Sequence, residues 1–208
     1  MKTKREAVEW CDVWVTGAAD DHLPRVLLVG DSIARSYFPG VRDALAPRVA
    51  CAYLATSRSV CDPAFERELA LVLDDHAFAA IQFNNGLHGW DYDEATYGRR
   101  LREVLGFVAG RVGPGRLAWA SSTPIRRRGA LAELDARTPR VVERNRIATA
   151  VAADLGLPTH DLCAVVWDHP EYHAEDGVHF NAAGQRALAA RVAEGVARMI
   201  SGVVVGRA

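Results

Sequence analysis

A serine hydroxyl attacks carbon only when a base lies within hydrogen-bond reach, and a carboxylate that orients the base completes the relay. Three places in this chain carry residue types suited to that chemistry. Arg25-Val26-Leu27-Leu28-Val29-Gly30-Asp31-Ser32-Ile33 is an apolar, β-branched run that stops at Gly-Asp-Ser. It reads as a buried strand delivering Ser32 just beyond its carboxyl end, at a helix start whose N–H groups favour negative charge. Near the other end, Asp176-Gly177-Val178-His179 sets an acid three residues before a histidine. The glycine permits a tight bend, so the carboxylate can orient the imidazole. Between them, Ile81-Gln82-Phe83-Asn84-Asn85-Gly86 is a strand end that delivers amides. Each feature has a plainer structural reading: Ser32 as a helix cap, Asp176 as an Asx turn, His179 as a core histidine, and Asn85-Gly86 as a turn.

These residues need elements to hold them. Pro39 reads as the first position of a helix that continues through Val41 and Leu45 to a stop at Pro47. A second strand is expected over Arg48 to Leu54, with a helix over Ala64 to Asp75 after it. Phe78 to Phe83 and Arg116 to Ser121 read as the third and fourth strands. The helix between them shows Tyr97, Leu101, Val104, Leu105 and Val108 at helical spacing. Ser122 to Pro139 reads as an irregular polar excursion in which Arg126-Arg127-Arg128 is solvated. A helix over Arg140 to Leu155, a short fifth strand over Leu157 to Leu162 and a last helix from Asn181 to Ile200 finish the chain. Strands alternating with helices predict an α/β chain, a parallel sheet covered on both faces. Residues 25–208 then form one domain. Residues 1–24, with Trp10 and Trp14, form an extension packing on its outside.

Serine first, amide in the middle and Asp-x-x-His last: in these residues the sequence resembles the SGNH (GDSL) hydrolase family, over roughly Arg25 to Ile200. The resemblance implies a flavodoxin-like, five-stranded three-layer sandwich and a serine esterase that needs no cofactor. In that scheme Ser32 is the nucleophile, His179 the base and Asp176 its orienter. Ser32 N–H and the Asn84 side chain hold the oxyanion, with Asn85 standing where the family's Asn-Asp-Gly-Leu variant has its Asp. The family's remaining donor is the N–H of a glycine after strand two. Here the loop reads Thr56-Ser57-Arg58-Ser59, without glycine. A backbone N–H needs no glycine, so Ser59 or Arg58 can serve, and the Arg58 side chain is alternatively placed to reach substrate. His88, just after the amides, is a candidate for the rim.

Composition sets the outer bounds. The 208 residues carry a net charge of −1, which gives no long-range field for nucleic acid or an anionic membrane. No apolar run is long enough to span a bilayer, and acidic residues interrupt the basic first residues where a signal peptide would turn apolar. Four cysteines without C-x-x-C spacing fit reduced thiols and a cytoplasmic enzyme. The expected partner is a small ester, with small or carbohydrate O-acetyl esters preferred, while homo-oligomerisation stays open. Other readings are a lysophospholipase or thioesterase of the same fold, and a non-catalytic module binding an acylated ligand. A zinc hydrolase using Asp168, His169, Glu171, His173, Asp176 and His179 is disfavoured, because Pro170 breaks the His169-x-x-x-His173 helix and no second ligand pair appears.

Overall fold

The structure is a computed structural model that describes residues 3–20 and 22–204. Its centre is strand β2, Arg25–Gly30, buried at every position. Parallel neighbours flank it: β3 (Ala50–Thr56) on one side and β4 (Ala80–Phe83) on the other, followed outward by β5 (Leu117–Ala120) and β8 (Thr159–His160). With β3 first, this is the flavodoxin-like order expected for five parallel strands. A sixth strand, β1 (Cys11–Val15), adds antiparallel to the far edge of β3. The segment read as an external extension therefore belongs to the sheet itself. Trp14 stays 55% exposed, and Trp10 lies beneath the Arg35 guanidinium, 4.9 Å from its ring.

Side chains alternate across a strand, so a sheet with two covered faces makes two cores. Val26 and Leu28 point to one side, where α1 (Ser32–Leu45) and α6 (Ala182–Val204) pack. Leu27 and Val29 point to the other, with Phe83 and Trp119, under α2 (Pro63–Asp75), α3 (Glu94–Val112) and α4 (Thr138–Asp154).

Helix α1 starts earlier than the proline suggests. Asp31 caps it by accepting from Ile33 N–H at 2.9 Å, and the helix runs unbroken through Pro39. Pro39 faces solvent, so the Arg35 carbonyl it orphans can bond water, while Ile33, Ala34, Tyr37, Phe38 and Val41 bury the opposite face. Burial of that stripe outweighs the roughly 3 kcal/mol that an interior proline costs. The fifth strand is shorter than expected, because Asp161 caps α5 (Leu162–Trp167) through Ala164 N–H at 3.0 Å and turns the chain away.

The excursion after β5 is ordered. It forms a hairpin, β6 (Arg126–Arg127) with β7 (Ala130–Leu134). Arg126 is not solvated: it is 5% exposed and its guanidinium donates to the carbonyls of Leu131, Ala132 and Trp167. Its neighbour Arg127 pairs with Glu133 at the surface. No described helix is long and apolar enough to cross a membrane, and all four cysteines are free.

Candidate active site

Ser32 is the first residue of α1, so its own N–H has no intrahelical acceptor and points out of the helix start. Its Oγ lies 2.9 Å from His179 Nε2. The other ring nitrogen, Nδ1, lies 2.6 Å from Asp176 Oδ2. Asp176 Oδ1 meanwhile accepts from the backbone N–H groups of Val178 and His179, at 2.8 and 2.9 Å. The turn that shapes the loop thus also aims the carboxylate. Partial burial works to raise the Asp176 carboxyl, but hydrogen bonds from the His179 ring and from these backbone groups prevail and hold it down at about 2. The carboxylate stays ionised, which sets Nδ1–H as donor and leaves Nε2 free to accept from Ser32.

Two features fix that loop. Gly177 has φ of +75°, and a Cβ there would collide with the Arg126 carbonyl oxygen. Arg126 N–H in turn donates to Gly177 O at 2.7 Å. The hairpin after β5 is therefore the backing of the acid–histidine loop. At the loop's far end Asn181 caps α6, accepting from Ala183 and Gly184 N–H.

The amides after β4 divide their work. Asn85, 1% exposed, clamps the loop after β3: its Oδ1 accepts from Val60 N–H at 3.1 Å and its Nδ2 donates to Arg58 O at 2.8 Å. Asn84 sits against the end of β2, with its N–H on Val29 O. Its Nδ2 donates to Ala120 O at 2.7 Å and Ser122 Oγ at 3.1 Å, so both amide hydrogens are engaged within the chain. An oxyanion would have to displace the longer of those bonds. Ser59 lies in the clamped loop with its side chain against Gly89; its Oγ accepts from Cys61 N–H, and its own N–H has no acceptor among the described residues. The Arg58 side chain is engaged within the chain and does not line the space beside Ser32. It pairs with Glu9, Asp62 and Glu68, which bind the first strand to the domain.

Ser32 and His179 open on a cleft of about 450 Å³, within the range of small-ligand sites. His88, the rim candidate, lines it, and so does Trp90 beside it. The other wall comes from Lys4, Arg5 and Glu6, which nothing in their spacing announces. Buried Arg144 holds the rim loop in shape, donating to the carbonyls of Gly86, His88 and Gly89 at 2.8–3.0 Å. A helix-period reading of α4 places Arg144 on the inner face beside Val141 and Ala148, the one signal that pointed to it. The ligand-rich run before His179 disperses instead of converging. His169 pairs with Glu171, His173 is buried near Pro124 O, and among the described residues no three such side chains form a metal-ready group.

No protein-family model matches the sequence, and no curated protein matches it. Solved structures do. A lipase/acylhydrolase from Enterococcus faecalis superposes with a TM-score of 0.65 at 20% identity, covering 84% of this chain and 95% of that one. A GDSL-like lipase from Bacteroides thetaiotaomicron gives 0.64 at 13%, covering 84% and 88%. An acetyl xylan esterase, AlAXEase, gives 0.62 at 15%, covering 83% and 99%. With its strand order, its covered sheet and these matches along nearly the whole of each partner, the chain has the fold of the SGNH (GDSL) hydrolases.

Proposed function

We propose that this protein is a serine esterase acting on small O-acyl esters, acetylated carbohydrates foremost. The continuous relay from Ser32 Oγ to His179 Nε2 and from His179 Nδ1 to Asp176 carries the reading. Ser32 Oγ attacks the ester carbonyl as its proton passes to Nε2, and the imidazolium that forms faces an ionised Asp176. Ser32 N–H, Ser59 N–H and Asn84, on exchange of its Ser122 bond, receive the charge on the carbonyl oxygen. Collapse breaks the C–O bond, and His179 protonates the departing alcohol. Water then attacks the acyl-enzyme as His179 takes its proton, releasing the carboxylic acid and restoring Ser32.

The lining of the cleft favours small substrates. Its apolar residues are Leu87, Trp90 and Val178, too few to hold a long acyl chain, and charged side chains make up most of the remainder. The fold shared with an acetyl xylan esterase supports acetyl esters among the candidates. The test is hydrolysis of p-nitrophenyl acetate and butyrate by wild type, Ser32→Ala and His179→Ala, with a chelator control. Turnover should fall by about 10⁴-fold or more in each variant and ignore the chelator. Activity that survives Ser32→Ala, or that the chelator abolishes, would remove the serine mechanism. Wild type that binds acetylated ligands without turnover would favour the binding-module reading.

A further inference from the structure

The residues opposite Ser32 come from a part of the chain that the relay does not use. Lys4 to Trp10 is laid between the two loops that border the cleft. Lys4 N–H donates to Tyr92 Oη at 2.8 Å, Arg5 pairs with Asp62 at 3.3 Å, and Trp10 exchanges bonds with Ser57 at 2.9 and 3.1 Å. So anchored, the arm brings Glu6 to His88: Glu6 Oε1 lies 2.8 Å from His88 Nδ1. The carboxylate accepts from Nδ1–H and fixes the ring, and Nε2 has no partner among the described residues. Beside it Trp90, half-buried, lines the same cleft. The guanidiniums of Arg140 and Arg144 sit 5.6 and 4.8 Å from its ring and hold the indole in place.

We infer that Glu6, His88 and Trp90 form the subsite for the alcohol half of the ester, and that it takes a hydroxyl-bearing leaving group, a sugar or polyol. This rests on the serine-esterase reading of the same cleft. The chemistry follows from the three groups together. An oriented imidazole with one open nitrogen exchanges hydrogen bonds with a hydroxyl, and a carboxylate accepts from a neighbouring one. A fixed aromatic face covers the C–H side of a pyranose ring. A plain alkyl or aryl leaving group would use the indole and leave both polar groups idle. Glu6 and His88 are thus specificity-determining residues, outside the bond-making relay.

The experiment compares kcat/KM for methyl 4-O-acetyl-β-xylopyranoside, whose two remaining ring hydroxyls are free, with that for p-nitrophenyl acetate, in wild type, His88→Ala, His88→Gln and Glu6→Ala. Removing the imidazole should lower the ratio of sugar to aryl ester about tenfold, the magnitude of one lost hydrogen bond to a charged or oriented partner. Glu6→Ala should lower it in the same direction, and His88→Gln should restore part of it. An equal fall on both esters, or no change in the ratio, would overturn the subsite. A tryptophan-fluorescence titration of wild type and His88→Ala with methyl 4-O-acetyl-β-xylopyranoside separates this from the mechanism. If neither ester is hydrolysed but the sugar ester binds saturably and about tenfold more weakly to His88→Ala, the subsite stands and the serine reading falls. Absence of such binding overturns the subsite.

Discussion

Ser32 lies 2.9 Å from His179 and at a helix start, the placement that the proposed nucleophile requires. The remaining dependence is on Asp176. Its carboxyl, held at about 2 against an ordinary 3.8, adds stability that is fully present above pH 3.8 and lost as pH falls through 2. Asp176→Asn should therefore unfold at lower urea than wild type at pH 6, with the gap closing toward pH 2. It should also lose about 10³–10⁴ in kcat, as a histidine without its orienting carboxylate adopts the wrong tautomer. Next to it, Gly177 has φ of +75° and abuts the Arg126 carbonyl. Gly177→Ala should cost about 1–3 kcal/mol and lower kcat more than it raises KM, because it displaces the acid–histidine loop rather than the cleft walls. Thermal unfolding and steady-state kinetics on the same preparation check both parts.

Elements hold these residues by unusual means at two points, and both use a buried arginine. The hairpin β6–β7 is stapled by Arg126 to the end of α5, and the loop after β4 is gathered around Arg144. Arg144 is 1% exposed. Burial pushes its guanidinium down from the ordinary value, with Tyr97 and Glu94 opposing; it is the donor to the carbonyls of Gly86 and His88, and shares that of Gly89 with Tyr92 N–H. Arg144→Met leaves the Gly86 and His88 carbonyls without their donor, while Gly89 O keeps Tyr92 N–H. It should destabilise the protein by about 3 kcal/mol in urea unfolding, and weaken substrate binding as the Trp90 rim relaxes.

Across the whole molecule, the two cores are not alike. The α2–α3–α4 side is filled by Phe83 and Trp119, whose rings lie 6.2 Å apart. Trp119→Ala should cost about 3–5 kcal/mol with little effect on KM, measured by urea unfolding and kinetics. The α1–α6 side carries a buried polar chain instead: His160 Nδ1–H donates to Gln82 Oε1 at 2.7 Å, and Gln82 Nε2 donates to Tyr37 Oη at 3.2 Å. Burial beneath α6, helped by Arg191 and Arg198, lowers the His160 ring from 6.5 to about 4. The unfolded chain then binds the extra proton first. Folding stability should fall as pH drops from 6.5 and level off near 4, having lost roughly 3 kcal/mol by then. His160→Gln should flatten that slope, and urea midpoints at pH 7, 5.5 and 4 would show it.

The sequence by itself determined the alternation of strands and helices, the places where β2 and β4 end, and the choice of Ser32, Asp176 and His179 as candidates for the relay. Each of these is written locally: in apolar runs, in helical spacing, in an Asp cap or an Asx turn, all set by neighbours within a few residues. Tertiary structure decided what lies farther apart. It paired β1 with β3, committed Arg58 to Glu9, Asp62 and Glu68, and engaged the Asn84 amide with Ala120 and Ser122. It buried Arg126, carried α1 through Pro39 and set Glu6 against His88. Most of these outcomes balance desolvation of a polar group or an unmade backbone bond against partners that arrive only when distant segments pack. No local periodicity records those partners.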